Sequence, residues 1–413
     1  MDMKKFIITD FGAKSGEGTV NTAAVQKAVD ECGKSGGGTV VIPSGVFYTG
    51  SIQLLSNVTL YLENGAVLKS TADKEDFGYI GFWHNEMKET TSLLWAREQE
   101  NICICGDGII DISADKTYEG ETRMEYCTDK PELLDERRRS EGVLMKNEDR
   151  VNQPIFFESC RNIKITGIKI INSTCWTVTF SRSRDIKVSG IEVDNNLNIQ
   201  NNDGIHLSSC KNAIISDCSF SCADDCIALT CITDRGGINE NITICNCLMR
   251  SRSAAVRIGH STRNVSISNL NVYETNRGIC IFTGTKTHIS AIAVSNVQIK
   301  TALLAGCWWG KAEPIIICSA DENSSISDVS IRNMSGVCEN GIIIYGKKHN
   351  IRNITLDNIN IKVKETEYFN DFCDGLDMRP YAYVKDDGGP CLLYTYGIGK
   401  ISLSNVNIDF VRI

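Results

Sequence analysis

No apolar run in this chain reaches the roughly 20 residues that a membrane-spanning helix needs, so no membrane partner is expected. Basic residues are in deficit, with 43 Lys and Arg against 51 Asp and Glu. The resulting net charge of −8 argues against a nucleic-acid partner. No paired Cys-x-x-Cys ligand set occurs, which argues against a zinc site. No calcium-ligand cluster stands out either, and neither metal nor cofactor is expected. The start, Met1-Asp2-Met3-Lys4-Lys5-Phe6, has neither the apolar stretch nor the small-residue cleavage site of a signal peptide. A cytoplasmic location is the expectation. Cysteine is the residue that is not scarce, with 19 copies, an odd number. Many sit at apolar positions, among them Cys103, Cys210, Cys218, Cys222, Cys226, Cys245 and Cys280. They read as reduced core residues, small hydrophobes of a cytoplasmic protein.

What is present is a repeat. A polar residue, often Asn, is followed by alternating apolar residues. Copies include Asn101-Ile102-Cys103-Ile104, Arg161-Asn162-Ile163-Lys164-Ile165 and Arg184-Asp185-Ile186-Lys187-Val188. Others are Lys211-Asn212-Ala213-Ile214-Ile215, Glu240-Asn241-Ile242-Thr243-Ile244, Arg263-Asn264-Val265-Ser266-Ile267 and Arg352-Asn353-Ile354-Thr355-Leu356. Successive steps are 184 − 161 = 23, 211 − 184 = 27, 240 − 211 = 29 and 263 − 240 = 23 residues. A period of that size with short alternating runs predicts a parallel β-helix. Alternation puts Ile and Val inside and Lys, Thr and Ser outside. The Asn residues fit turns that tolerate left-handed backbone, and stacked Asn ladders are a further expectation. A two-sheet β-sandwich is the competing architecture, but it does not repeat one motif so many times. Only 6 prolines and 23% charged residues agree with the solenoid, which can run to 413 residues as one domain.

The first 70 residues read as a cap and the first coils. Asn21 begins a predicted helix as its cap, with Ala24, Val25, Ala28 and Val29 on one face. Such a helix would cover the open end of the solenoid. Two stretches break the period, 112–150 and 364–395, and read as loop insertions over one face.

The segment Asn202-Asp203-Gly204-Ile205-His206 and the segment Ala223-Asp224-Asp225-Cys226 carry the chemistry. They lie 224 − 203 = 21 residues apart, close to one repeat. On stacked strands about 4.8 Å apart, Asp203, Asp224 and Asp225 would crowd one patch. Like charges that close are costly unless they share a proton or a task, and paired carboxylates are what glycoside hydrolysis needs. Asp203-Gly204 alone would also fit an ordinary turn; the doublet Asp224-Asp225 fits a turn poorly.

Asp10-Phe11-Gly12-Ala13, the Gly36-Gly37-Gly38 strand entry and the Asn202-Asp203 plus Asp224-Asp225 motifs together resemble glycoside hydrolase family 28, the polygalacturonase family. The resemblance spans nearly the whole chain. It implies an all-β, single-domain, right-handed parallel β-helix (a pectin-lyase-like solenoid) with an N-terminal capping helix. It further implies inverting hydrolysis of a pectin-derived or related plant oligosaccharide. Asp224 would be the general acid, with Asp203 and Asp225 holding the attacking water. A missing signal peptide favours short imported chains and an exo-acting mode.

The family usually carries Gly-His-Gly and Arg-Ile-Lys on the next two coils, where this chain reads Ser253-Ala254-Ala255 and Cys280-Ile281-Phe282. The expected clamp for a substrate carboxylate is therefore altered. Aligning Ile205, Ile227, Val256 and Ile279 puts His206, Ala228, Arg257 and Cys280 in one outward column. Arg257 is the candidate that takes over the lost charge, since its fork suits carboxylates and hydroxyls. An ordinary exposed strand residue is the competing reading for it, and for His206. His206 would hold the sugar or tune the acids. Phe282, Trp308 and Trp309 are candidate sugar platforms, with Trp83 behind them; core packing is the bland reading of each. Arg252 and His260 read as loop or surface residues. A non-catalytic carbohydrate-binding β-helix and a lyase are the other function classes. Nothing in the sequence decides the oligomeric state.

Overall fold

The computed structural model describes residues 4–84, 88–117, 121–123, 143–145, 150–199, 201–231, 236–304, 310–319, 321–365 and 390–411. Its body is a parallel β-helix. An 11-stranded parallel sheet takes one strand from each coil, from Ile52–Gln53 to Leu393–Tyr396. A 19-stranded sheet forms the remaining walls. The register is the one expected: Val178, Ile205, Ile227, Val256, Ile279 and Ile315 stand side by side on successive coils. All six are fully buried. Each contributes about 1.5–3 kcal/mol by leaving water. Their outward neighbours Thr179, His206, Ala228, Arg257, Cys280 and Ile316 form the facing column.

The corners explain the Asn signal. Asn101, Asn162, Asp185, Asn212, Asn241, Asn264, Asp328 and Asn353 all have positive φ, near the left-handed region. Asn tolerates that region better than most residues. Their amides stack from coil to coil: Asn162 donates to Asn101 at 2.7 Å, Asn241 to Asn212 at 3.0 Å and Asn353 to Asp328 at 2.9 Å. A second ladder, which the sequence reading lacks, runs through Asp217, Asn246, Asn269, Asn296, Asn333 and Asn358. It marks the bend inside the long strands such as Thr262–Thr275.

Helix α1, Thr22–Lys34, covers the first coils and buries Val25, Ala28, Val29 and Cys32; Ala24 packs at its edge. Asn21 does not cap it through its side chain. Instead that buried amide ties Lys14, Thr19 and Tyr48 together. The expected insertions 112–150 and 364–395 fall mostly outside the described residues. Within the first, Glu121–Arg123 pairs antiparallel with Val143–Met145. Within the second, Leu393–Tyr396 is a strand of the 11-stranded sheet, so the loop reading extends too far there. Cys210, Cys218, Cys222 and Cys226 are buried thiols as expected, whereas Cys103 and Cys245 are half-buried on the outer face. Among the described residues no helix is long and apolar enough to cross a membrane.

Candidate active site

The site is built where each coil enters the 11-stranded sheet. Asp203 lies two residues before Ile205 and Asp225 two before Ile227, so the register of those strands stacks one on the other. Backbone bonds hold the stack: Gly204 N donates to Asp225 O at 3.0 Å and Thr177 N to Asp203 O at 2.9 Å. Asn202 supplies the side-chain link. Its Oδ1 accepts from Ala223 N at 2.6 Å and its Nδ2 donates to Asn196 O at 2.8 Å. From the following coil, Ser251 Oγ donates to Asp224 O at 2.6 Å. The two acidic motifs are thus fixed to each other and to the coil beyond.

One oxygen from each of Asp203, Asp224 and Asp225 lies within 4.8 Å of the others. The three residues are 2%, 5% and 1% exposed. Their surroundings differ. Asp225 Oδ1 accepts from Ser253 Oγ at 2.8 Å and Ala254 N at 3.1 Å, and its Oδ2 lies 3.4 Å from Arg257 Nη1. Asp224 accepts from Asp225 N at 2.9 Å and Asn201 Nδ2 at 3.4 Å. Arg150 Nη2 in turn donates to Asn201 Oδ1 at 3.3 Å. Asp203 faces His206, whose Nδ1 is 3.2 Å from its Oδ2. A trio of carboxylate oxygens could also supply part of a hard cation's shell, which takes six or more oxygens.

The other candidates separate. His206 is buried, stacked on Trp176 at 4.0 Å between centroids, and bonded through Nε2 to Thr230 Oγ1 at 2.6 Å. Arg257 is 23% exposed and sits 4.7 Å above the Phe282 ring. The Phe282 ring is itself buried, so it seats the guanidinium rather than offering an open platform, which corrects that expectation. Trp308 and Trp309 lie outside the described residues, and so does the Trp83 side chain. Arg252 is buried, against the expectation of a surface residue. His260 is half-buried at the end of the Ala254–Gly259 strand. Burial, then the charges of Arg257 and His206, push its imidazole down to about 4.

Several site residues escaped the sequence reading. Trp176, Arg277 and Glu313 hold the same place in their coils as Asp203 and Asp225, two residues ahead of the first inward side chain. Arg277 and Glu313 form a buried pair at 3.2 Å. The signal was available: reading that one position down all coils gives Trp176, Asp203, Asp225, Ala254, Arg277 and Glu313. Thr230 and Ser253 carry no comparable signal, because their contacts depend on where two coils meet.

With this geometry in place, the chain can be set beside known proteins. The sequence pattern of Glycosyl hydrolases family 28 matches residues 32–376. The exo-poly-alpha-D-galacturonosidase of Dickeya chrysanthemi is 28% identical over 252 residues, 53% of this chain and 41% of that protein. The chain therefore spans less than half the length of that relative. The endo-polygalacturonase of Pectobacterium carotovorum subsp. carotovorum is 23% identical over 344 residues, 79% of this chain and 80% of that one. The crystal structure of a hyperthermoactive exopolygalacturonase from Thermotoga maritima superposes with a TM-score of 0.70 at 22% identity, covering 88% of this chain and 89% of the other. That last likeness speaks to the fold alone. A match over 345 of 413 residues (376 − 32 + 1), together with a stacked acidic trio on a parallel β-helix, places this chain in glycosyl hydrolases family 28.

Proposed function

We propose that this protein hydrolyses a glycosidic bond in a pectin-derived or related plant oligosaccharide, with inversion and from a chain end. The observation that carries the reading is the trio of buried carboxylates with oxygens within 4.8 Å of one another. Binding alone does not need such a cluster, because crowding three carboxylates out of water is costly. One of the three carboxylates carries the proton, and the role that the family implies for the first of the doublet gives it to Asp224. Asp225 faces a cation and two neutral donors, and Asp203 faces an imidazole. Asp224 then protonates the leaving oxygen, while Asp203 and Asp225 hold and deprotonate the water. The Dickeya chrysanthemi relative, described as an exo-poly-alpha-D-galacturonosidase, supports end-wise attack.

Retention is the second stereochemical reading; nearest oxygens within 4.8 Å do not by themselves choose between the two. Inverting sites ordinarily hold their two carboxyls roughly 6.5–9.5 Å apart, and retaining sites about 5–5.5 Å. Proton NMR of the first product from a panel of oligogalacturonides and neutral plant oligosaccharides decides between them. The inverted anomer is expected. The retained anomer would replace inversion by a covalent route, and no release from any sugar would sink the hydrolase reading.

Arg257 is the proposed recogniser. Its guanidinium is anchored by Asp225 and Phe282, and the side chain is 23% exposed. Arg257→Ala is expected to raise KM at least about tenfold, the weight of one charge-assisted hydrogen bond. Arg257→Lys should not restore it, because a point charge lacks the fork. An unchanged KM in both variants would remove Arg257 from substrate binding.

A further inference from the structure

We infer that Thr230, His206 and Asp203 form a relay in which His206, as its Nδ1–H tautomer, is a positioning residue that aims Asp203 at the attacking water. The inference rests on the reading of Asp203 as a water-holding carboxylate.

His206 follows Asp203 by three residues in the same coil entry, and it is 2% exposed. Three groups fix its ring. Trp176 stacks on it at 4.0 Å, Thr230 Oγ1 lies 2.6 Å from Nε2, and Asp203 Oδ2 lies 3.2 Å from Nδ1. Thr230 stands directly beside Ser208 on the next coil, so the sheet register itself places its hydroxyl across from the ring. An imidazole bonded at Nε2, stacked on one face and set against a carboxylate at Nδ1 has little freedom to follow a ligand. That geometry suits an orienting group better than a sugar-binding one.

The tautomer follows from counting donors and acceptors. A neutral imidazole has one N–H and one lone pair. If Nε2–H donated to Thr230, the Nδ1 lone pair would face the Asp203 carboxylate, acceptor against acceptor. If Thr230 donates to Nε2, the ring proton sits on Nδ1 and faces Asp203. Only the second arrangement pairs every group, and the threonine hydroxyl is free to rotate into it. Among the described residues the other charged or titratable groups near the ring are Asp224, Asp225, Arg257 and His260. The Nδ1 contact is at ion-pair separation without the alignment of a hydrogen bond. Such contacts tighten when substrate binds.

The proton count closes without the imidazole changing charge. Water adds to the anomeric carbon as the bond to the leaving oxygen breaks. Asp224 gives its proton to that oxygen, and the water proton passes to the Asp203–Asp225 pair. His206 keeps its Nδ1 proton throughout and fixes which Asp203 oxygen faces the water.

The test has an arm that needs no substrate. The chain holds only 5 histidines, so selective 15N-histidine labelling with long-range 1H–15N correlation resolves each ring. The His206 signals are identified by their loss in His206→Gln. The expected pattern is Nδ1–H; an Nε2–H pattern overturns the relay whatever the fate of the hydrolase reading. The kinetic arm uses the sugar released fastest from the panel above. His206→Phe keeps a ring on Trp176 and is expected to lower kcat about 100-fold, with Thr230→Val lowering it about tenfold and KM changing less than about twofold in each. The double variant should lose no more than His206→Phe alone, since coupled groups are non-additive. Additive losses, or losses confined to KM, overturn the positioning role. An Nδ1–H pattern in a protein that hydrolyses nothing sinks the hydrolase reading and, with it, the positioning role.

Discussion

Asp224→Asn is expected to lower turnover roughly 10²–10⁴-fold, the usual weight of a general acid, while leaving the fold intact. The substitution is nearly isosteric. Asp225 N donates to one carboxylate oxygen and Asn201 Nδ2 to the other, so the amide oxygen keeps the first bond, the weaker 3.4 Å contact to Asn201 is given up, and Ser251 still holds the backbone carbonyl. What is lost is the transferable proton. The loss should therefore depend on the leaving group. With an aryl glycoside whose phenolate departs without protonation, Asp224→Asn should lose much less than with an oligosaccharide. Matched Asp203→Asn and Asp225→Asn variants should lose as much with either substrate, because water activation is needed for both. Equal losses for Asp224→Asn on the two substrates would take the acid role away from it. Circular dichroism melts of the four proteins check that the fold is constant across the comparison.

The fold was legible because a solenoid writes its core once per coil. The alternation in Ile163-Lys164-Ile165 or Ile242-Thr243-Ile244 fixes which face is inside, and the steps between copies fix the register. Both transfer to the structure without adjustment. The left-handed Asn corners were legible for the same reason, since few residues accept that backbone. The acidic trio could be read from spacing because stacking turns a sequence period into contact. Contacts that depend on side-chain reach could not. Asn21 looks like a helix cap in sequence, yet its amide finds closer partners in Lys14 and Tyr48. Phe282 looks like a sugar platform, yet Arg257, one coil away and two residues back in register, lies over it. The partners of Asp225 come from Ser253, Ala254 and Arg257 on the next coil, and the histidine that Asp203 faces is held by Thr230. No local pattern announces them.

Gly204 carries the second large expectation. In sequence, Asp203-Gly204 alone also fits an ordinary turn, and glycine in turns commonly supplies left-handed backbone. In the structure Gly204 is not left-handed. It is glycine because the next coil is too near for anything else. A Cβ there would lie 2.4 Å from the Cys226 carbonyl oxygen and 2.7 Å from the Phe220 ring. The carbonyl belongs to the coil that carries Asp225, and the ring is buried in the core. Gly204→Ala must therefore wedge the Asp203 coil away from the Asp225 coil. Overpacking of this kind costs about 1–3 kcal/mol, and displacing a reacting group by about 1 Å costs on the order of 10²-fold in rate. Gly204→Ala is expected to lower both the unfolding midpoint and kcat, the latter by roughly 10–100-fold. Gly190→Ala is the control. Its backbone is left-handed, with φ +63°, but a Cβ there meets nothing within 4 Å. It should lose about 1 kcal/mol of stability from strain and none of its turnover. A Gly204→Ala protein with full kcat would mean that the distance between Asp203 and Asp225 does not control the reaction, and that the water is not held between them.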